Sequence, residues 1–376
     1  MKKRFISYFH GLTPDALRPV RRPERTPAWL PADRTTIVPR ASHALYLSWR
    51  VMGLARGDRF LCPAFVCNTV SRPLEKAGGR AAFFNVTENL GIDWDHLRSL
   101  LAGPRRPKAM VWYHYLGLPM EFDRVLAFCR ENDLLLIEDC AHALFSEHAG
   151  RLVGSFGDVA VFSIRKTLPV LHAGALVVNN PAFPRKIPVA WRQPTERLQA
   201  YLHAREAYLH RLHLQAVDRG AEVARPFFRE ALTDMERHYG DPAVFWAIDP
   251  LSRLVMHNAE RERIRRLRRR NFLIYLRKLG DLALVPALPA GANPMGFPVC
   301  LKRRDQISRR LHALGVETVP HWRERLLPQG VAARFGAADQ LARTELTLPC
   351  HQDITPRDAR YVCRCIRDAA RTQRGG

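Results

Sequence analysis

The segment "LLLIEDCAHA", residues 134–143, and the segment "GSFGDVAVFSIRK", residues 154–166, together decide the fold. The apolar run that opens the first segment predicts a buried strand, and Asp139 follows its end. A second strand, "VAVFSI", contains Ser163 and leads to Lys166. Open α/β sheets bind ligands beyond the carboxyl ends of their strands, so we expect these three side chains to share one crevice.

Around these segments the first half of the chain alternates between strand-like and helix-like runs. The predicted strands are Arg59–Cys62, Ala81–Val86, Lys108–Trp112, Leu134–Glu138, Val159–Ile164 and Gly174–Val178. Such alternation predicts an α/β fold with a large, mostly parallel sheet that helices cover on both faces.

Two early helices follow from the same pattern. Ser42 is placed as the N-cap of "HALYLSWRVMGL", and Gly53 lies close to the end of that helix. Residues 66–77 align apolar side chains on one helix face, although we expect Pro73 to bend or interrupt that helix.

The pattern changes in the second half. Residues 195–238 and 251–279 are rich in Arg, Leu, Ala and His at helical spacing. In the last part, "FPVCL" predicts a strand, and "DQISRRLHALG" and "TPRDARYVCRCIRDAA" predict helices. We therefore predict a large α/β domain at residues 1–250, with a helical insertion at 195–238, and a smaller α/β domain at residues 251–376.

Composition narrows the class of protein. Of 376 residues, 47% are apolar, and the formal net charge is +23. The basic run "RERIRRLRRR", residues 261–270, carries much of this excess, which favours an anionic partner: nucleic acid, a phosphorylated substrate or an acidic membrane surface. We find neither an apolar run of roughly 18 residues nor a signal peptide, so we expect a cytoplasmic protein without membrane insertion.

The cysteine spacing and the missing motifs exclude further classes. The eight cysteines form no CxxC and no zinc-finger pattern, so we expect reduced thiols and no metal site. GxGxxG, GxxxxGK[ST], GxSxG and HExxH are absent, which argues against dinucleotide-binding, P-loop, α/β-hydrolase and zincin readings.

The residues that remain are sufficient in kind for pyridoxal phosphate chemistry. Lys166 provides an amine for a Schiff base, and Asp139 provides a carboxylate that keeps the pyridine nitrogen protonated. Hydroxyls and helix-start amides suit the phosphate. Each residue also has a simpler interpretation: Lys166 as a solvated loop residue, Asp139 as a helix cap and His142 as a packed or surface histidine.

The order of these motifs resembles the DegT/StrS family of sugar aminotransferases, which are pyridoxal phosphate enzymes of fold type I. The specific part is "IEDCAHA" at 137–143 with "GSFGDVAVFS" at 154–163. Supporting matches are "RASHAL" at 40–45, "GDRFLCPAF" at 57–65, "YHYLGLP" at 113–119, "GVETVPHW" at 315–322 and "LTLPCHQDIT" at 346–355.

The resemblance implies a role for individual residues. Asp139 matches the partner of the pyridine nitrogen, His142 the residue that contacts the ring and its 3-oxygen, and Ser163 the phosphate-binding serine. Ala41 and Ser42 stand in the family's Ser-Gly-Thr helix start, where Ser42 replaces the threonine and keeps its hydroxyl.

The catalytic lysine requires an alignment gap. The family's S-F-H-x-x-K spacing, counted from Ser163, reaches Leu168, which cannot form an imine. Counted backwards from Ala173 and Gly174, the family spacing reaches Lys166. A two-residue deletion reconciles the two counts, and we predict Lys166.

Other positions depart from the family pattern. Cys67, which we include among the cofactor-binding residues, stands where an aromatic side chain often stacks on the ring. His172 replaces an acidic residue that often precedes the family's Gly-Gly pair. The family's G-x-N-x-R segment, which lends an asparagine to the neighbouring subunit, is not recognisable.

The resemblance implies a homodimeric enzyme that moves an amino group from an amino acid such as glutamate to a keto acceptor. The implied acceptor is a nucleotide-linked keto-sugar of polysaccharide or secondary-metabolite biosynthesis. Two alternatives stay open. One is a pyridoxal phosphate enzyme with another outcome, such as a sugar dehydratase; the other is a non-catalytic regulatory or nucleic-acid-binding protein, although no DNA-reading motif is present.

Overall fold

A computed structural model describes residues 6–8, 10–11, 14–19, 26–170, 172–192 and 241–371. Its strands are β1 (Thr35–Val38), β2 (Arg59–Pro63), β3 (Arg80–Phe84), β4 (Ala109–Tyr113), β5 (Leu135–Asp139), β6 (Glu147–His148), β7 (Arg151–Leu152), β8 (Val159–Ser163), β9 (Gly174–Val178), β10 (Trp191–Arg192), β11 (Phe245–Trp246), β12 (Gly296–Cys300) and β13 (Glu345–Pro349). The six strands predicted for the first half are therefore present, each within two residues of its predicted ends.

The helices lie between and after these strands. They are α1 (Ala41–Val51), α2 (Asn68–Lys76), α3 (Trp94–Ser99), α4 (Phe122–Glu131), α5 (Pro250–His257), α6 (Arg261–Leu279), α7 (Arg304–Ala313), α8 (Val331–Arg334), α9 (Gly336–Thr344) and α10 (Pro356–Arg371). Short 3-10 turns occur at Pro14–Leu17, Tyr115–Gly117, Ile164–Lys166 and Glu324–Leu326.

A seven-stranded sheet in the order β1-β9-β8-β5-β4-β2-β3 forms the centre of the fold. β9 runs antiparallel to its neighbours β1 and β8, and the other pairs are parallel. The predicted α/β class with a mostly parallel sheet is therefore confirmed.

Both faces of this sheet are buried, as a parallel sheet requires. In β4, Ala109, Val111 and Tyr113 contribute to one hydrophobic cluster, whereas Met110 and Trp112 contribute to another. Because successive side chains of a strand point to opposite faces, helices must cover the sheet on both sides. An unbroken apolar strand such as "AMVWY" is the sequence signature of this arrangement.

The carboxyl ends of the central strands meet the start of α1. Asp139 ends β5 and Ser163 ends β8, where Ser163 pairs with Gly174. A Cβ on Gly174 would lie 2.6 Å from the carbonyl carbon of Arg40 and 2.8 Å from the nitrogen of Ala41. Only a glycine at position 174 therefore lets the first residues of α1 approach the sheet this closely.

The C-terminal part has its own antiparallel pair, β12 and β13. The ring of Phe297 on β12 lies 4.8 Å from Phe272 and 5.3 Å from Tyr275, both on α6. The strand predicted at "FPVCL" and the two helices that follow are confirmed as β12, α7 and α10, whereas β13 was not predicted as a strand. The domain boundary at residue 250 stays a prediction.

Two helix starts differ from the predictions. α1 begins at Ala41, with Arg40 in the N-cap position, so Ser42 lies in the first turn and is not the cap. α2 begins at Asn68, which leaves Val66 outside it, and the helix continues through Pro73 without interruption. The carbonyl of Pro73 accepts a hydrogen bond from Ala77 at 3.0 Å, so the final turn is closed.

Two further predictions concern long helical regions and the membrane. Residues 251–279 fall in α5 and α6, as predicted, whereas the insertion predicted at 195–238 lies outside the described residues. Among the helices that the structure describes, none combines the length and apolar character that a bilayer span needs.

Buried Glu345 makes the stability of the protein depend on pH. It opens β13 and accepts hydrogen bonds from the Thr347 hydroxyl and the His321 amide, both at 2.5 Å. Burial raises the pKa of Glu345 from 4.5 to about 8. The folded protein therefore holds a proton that the unfolded chain releases between these two pH values.

We expect Glu345→Gln to flatten the dependence of stability on pH. The contribution of protonated Glu345 is complete below about pH 4.5 and is lost as the pH rises to about 8. Over that window the wild type should lose up to about 1.4 kcal/mol per pH unit relative to the variant, as urea unfolding would measure. Glu324→Gln, at an exposed position, is the control. Parallel curves for wild type and Glu345→Gln would contradict the assignment.

Candidate active site

A cavity lies at the carboxyl ends of β4, β5 and β8, and its empty space, including the solvent at its open mouth, is about 680 Å³. It is lined by Arg40, Ala41, Ser42, Leu45, Val66, Cys67, Thr69, Val70, Tyr113, His114, Asp139, Ala141, His142, Ser163, Arg165, Lys166 and Trp322. All seven residues that the sequence predicted for the site are in this lining: Ala41, Ser42, Cys67, Asp139, His142, Ser163 and Lys166.

Lys166 reaches the cavity from the short turn that follows β8. Burial, with a smaller contribution from the charge of Arg165, lowers the pKa of its amine to about 8 against the opposing effects of Cys67 and Asp139. A larger fraction of the amine is therefore neutral near pH 7 than in a solvated lysine. A neutral amine in a cavity is the form that attacks a carbonyl carbon.

Asp139 is 3% exposed and ends β5 at the cavity wall. Its Oδ1 accepts a hydrogen bond from the Ala141 amide at 2.8 Å, which fixes the carboxylate orientation. Burial raises the pKa of Asp139, while the Ala141 amide and the charge of Lys166 oppose this rise. A bound cation would therefore stabilise the charged carboxylate.

His142 packs against Trp322 inside the same cavity. The two ring centroids are 5.8 Å apart, with 33° between the ring planes. The Leu116 amide donates to Nδ1 of His142 at 3.2 Å, so the neutral ring carries its proton on Nε2. Burial and the charge of Lys166 hold the pKa of His142 well below its ordinary value, so the ring is neutral at pH 7.

The start of α1 and the end of β8 form one end of the cavity. Ala41 and Ser42 open α1, so their two amides have no partner within the helix. Ser163, which is 3% exposed, lies beside them at the end of β8. A helix start beside a hydroxyl is a suitable binding site for a phosphate.

Cys67 lies at the N-cap position of α2 and is half-buried in the cavity wall. The Thr69 hydroxyl donates to its sulfur at 3.1 Å. At this position the chain presents a small thiol, so the aromatic surface of the cavity comes instead from Trp322 and Tyr113. The sequence contained Trp322 in the segment "GVETVPHW" but gave it no role.

A profile of the DegT/DnrJ/EryC1/StrS aminotransferase family matches residues 28–215 and 254–367, which is most of the chain. The chain belongs to this family. Aminotransferases of the DegT/DnrJ/EryC1/StrS family depend on pyridoxal phosphate, so the predicted activity class and cofactor are confirmed.

One curated relative is similar to this chain in sequence, and two solved structures share its fold. The UDP-N-acetyl-3-dehydro-alpha-D-glucosamine 3-aminotransferase of Acidithiobacillus ferrooxidans is 26% identical over 341 residues, 86% of this chain and 81% of the relative. The aminotransferase TlmJ from Streptoalloteichus hindustanus has a TM-score of 0.66 at 23% identity, covering 92% of this chain and 88% of TlmJ. The sugar aminotransferase CalS13 from Micromonospora echinospora has a TM-score of 0.64 at 20% identity, covering 89% of this chain and 87% of CalS13.

Three features of the cavity in this DegT/DnrJ/EryC1/StrS family member suit the binding of pyridoxal phosphate. Asp139 is a buried carboxylate whose Oδ2 receives no hydrogen bond from the described residues. In the same cavity, the close approach at Gly174 holds the start of α1 beside Ser163. Lys166 supplies an amine of lowered pKa within the same cavity.

Glu138, the neighbour of Asp139, has a structural role that the sequence did not reveal. Its two oxygens accept hydrogen bonds from His114 at 3.0 Å and from the amides of three loop residues, Gly154, Phe156 and Gly157. Burial raises the pKa of Glu138, but these hydrogen bonds outweigh burial and hold it below its ordinary value. The motif "GSFG" is thereby fixed under the cavity.

His114, Glu138 and Cys140 are also close enough together to hold a metal ion, within the described part of the chain. The hydrogen bonds to Glu138 argue against that use, because its oxygens already receive donors from His114 and the loop. We therefore interpret this cluster as a structural network.

We expect Glu138→Ala to destabilise the fold by about 3–5 kcal/mol, since it leaves buried donors without a partner. Urea unfolding would measure the change. Glu131→Ala, at an exposed position on α4, is the matched control and should stay within about 0.5 kcal/mol of wild type. If the two variants were equally stable, Glu138 would have no such role.

The basic run of the sequence lies in α6, where most of its arginines contact this chain. Arg261 and Arg265 both pair with Glu147, and Arg268 is 1% exposed and donates to Gln352 at 2.8 Å. Two others donate to backbone carbonyls: Arg269 to Ala292 at 2.9 Å and Arg270 to Ile354 at 2.7 Å. This use of the run weakens the nucleic-acid alternative.

Proposed function

We propose that this enzyme transfers an amino group from an amino acid, glutamate in the first instance, to a nucleotide-linked keto-sugar. The observation that carries the proposal is the meeting of Lys166, Asp139 and the α1 start in one cavity. The wider family and the UDP-sugar substrate named for the Acidithiobacillus ferrooxidans relative support the sugar acceptor.

Each cavity residue has a defined task in this proposal. Bound pyridoxal phosphate supplies an aldehyde that takes up the amino group and a ring that accommodates negative charge. Asp139 holds a proton at the ring nitrogen, and the Ala141 amide keeps its carboxylate in place. The Nζ of Lys166, once free, would take the proton from the α-carbon of the donor and pass it to the cofactor carbon that carries the amino group. In the second half of the reaction it would move a proton in the opposite direction.

The remaining residues orient and enclose the reactants. His142 presents its protonated Nε2, since the Leu116 amide occupies Nδ1. Trp322 covers one side of His142 and excludes water from the proton-transfer site. Ser163 and Ser42, with the amides of the α1 start, bind the phosphate.

The decisive experiment is a pair of half-reactions. Protein loaded with pyridoxal phosphate is mixed with glutamate, and 2-oxoglutarate is measured; the aminated protein is then mixed with UDP-linked and GDP-linked keto-sugars. We expect 2-oxoglutarate in the first step and an amino-sugar in the second. Release of the sugar hydroxyl without nitrogen transfer would establish the dehydratase alternative, and failure of the first step would end the proposal.

We also propose a cytoplasmic homodimer. The family resemblance motivates the dimer, which would give a mass of twice 43.0 kDa. Light scattering of the purified protein measures this directly, and a particle of monomer mass under conditions of full activity would contradict it.

A further inference from the structure

The phosphate end of the cavity carries more positive charge than the predicted site residues provide. Arg40, Arg165 and Lys166 all line the cavity, whereas Asp139 is its one lining carboxylate among the described residues. With the histidines counted as neutral, the lining therefore carries an excess of positive charge. A cleft lined by an excess of positive charge attracts an anion.

The two arginines flank the two elements that bind phosphate. Arg40 directly precedes α1 and is 9% exposed, and Arg165 lies in the 3-10 turn Ile164–Lys166 that directly follows Ser163. Gly174, which pairs with Ser163, packs against the backbone of Arg40 and Ala41. This contact holds the start of α1 against the end of β8. Arg40 and Arg165 therefore adjoin the α1 start and Ser163 along the chain, and both line the same cavity.

A phosphate monoester matches this end in charge and in donor geometry. It carries about −1.5 to −2 charges at pH 7 and has three strong acceptor oxygens. Arginine is well suited to such groups, because its planar guanidinium donates two parallel hydrogen bonds to oxygen pairs. The start "RASHAL" places arginine where the family's Ser-Gly-Thr start has a small hydroxyl residue.

We propose that Arg40 and Arg165 form an arginine clamp on the cofactor phosphate, within a single chain. This clamp takes the place of the asparagine that the family's G-x-N-x-R segment lends from the neighbouring subunit, a segment not recognisable in this sequence. The inference rests on the proposed site and adds to it two binding residues that hold the phosphate without acting on the reacting atoms.

The test measures binding to the apo protein and does not require activity. Pyridoxamine phosphate and pyridoxamine differ only in the phosphate, and neither forms a bond to Lys166. Their affinities follow from quenching of tryptophan fluorescence, since Trp322 lines the cavity. Arg40→Gln and Arg165→Gln should each weaken the binding of pyridoxamine phosphate about 10- to 100-fold. The affinity for pyridoxamine should stay within about twofold of wild type.

Controls separate a charge effect from a folding effect. Arg50→Gln, at an exposed position of α1, should bind both ligands as wild type does. Arg165→Lys keeps the positive charge and should recover part of the lost affinity. Inorganic phosphate should compete with pyridoxamine phosphate in the wild type and compete less in both glutamine variants. If Arg40→Gln does not fold, the two variants of half-buried Arg165 still test the proposal.

Two results would overturn the clamp. One is an equal loss of affinity for both ligands, which would mean that the arginines only shape the cavity. The other is unchanged affinity for pyridoxamine phosphate with weakened binding of UDP, which would assign the arginines to the substrate diphosphate. Failure of the proposed function is distinct from both, because wild type would then bind no pyridoxamine phosphate or would leave Lys166 unlabelled after borohydride reduction with pyridoxal phosphate.

Discussion

Replacement of Lys166 by alanine should abolish transamination while leaving the protein folded. The substitution removes both the amine that attaches the cofactor and the base that moves the α-proton, and loss of a general base alone costs about 10²–10⁴-fold in rate. Lys166 lies in a short 3-10 turn after β8 and takes part in no ion pair among the described residues, so its truncation removes no packing element. Single-turnover formation of 2-oxoglutarate from glutamate measures the effect.

Two comparisons make this prediction specific to position 166. Lys186→Ala, at an exposed position, should keep the wild-type rate. Lys166→Arg should be inactive as well, because arginine keeps the charge but is never a neutral nucleophile. Added methylamine should restore part of the proton transfer in Lys166→Ala but not the covalent attachment. If borohydride reduction still fixed the cofactor to Lys166→Ala, another lysine would hold it.

The pH dependence of this step follows from the same environment. Burial lowers the pKa of Lys166 to about 8, so its neutral fraction rises through the range just above neutrality. The spacing to Ala173 and Gly174 predicted Lys166 from the sequence. The sequence did not predict the lowered pKa of its amine. The burial that lowers this pKa arises only when distant segments pack around Lys166, whereas Arg165 is its neighbour in the sequence.

Most of the central sheet was predictable because six of its seven strands carry their own signal in the sequence. An unbroken apolar run such as residues 109–112 predicts burial on both faces without knowledge of its neighbours. β1 was missed, since Thr35–Val38 is only four residues long and is followed by Pro39. Its strand character comes from pairing with β9, which is a non-local contact.

The sequence did not distinguish the structural role of Glu138 from the cavity position of Asp139. Adjacent strand residues point in opposite directions, so one carboxylate faces the loop at 154–157 and the other faces the cavity. The sequence placed both at the end of β5 but did not reveal which partners each would meet. The sequence did not predict a role for Trp322 either, because Trp322 lies far from His142 in the sequence and contacts it only in the folded chain.

Asp139→Asn should also cause a large loss of transamination activity. It tests the role of the carboxylate at the ring nitrogen separately from the covalent attachment of the cofactor to Lys166. The amide keeps the shape of the side chain and its acceptor for the Ala141 hydrogen bond, so folding should be unchanged. It has no negative charge with which to hold a proton at the ring nitrogen. We expect the rate with glutamate to fall by about 10²–10⁴-fold.

The readouts of Asp139→Asn and Lys166→Ala should differ in kind. Asp139→Asn retains the amine of Lys166, so borohydride reduction should still fix pyridoxal phosphate to that residue although turnover is lost. Asp133→Asn, at an exposed position just before β5, is the matched control and should keep full activity. A wild-type rate for Asp139→Asn would place the ring nitrogen away from β5. Since Ser163 and the α1 start mark the phosphate end of the same cavity, such a result would reverse the proposed orientation of the cofactor as a whole.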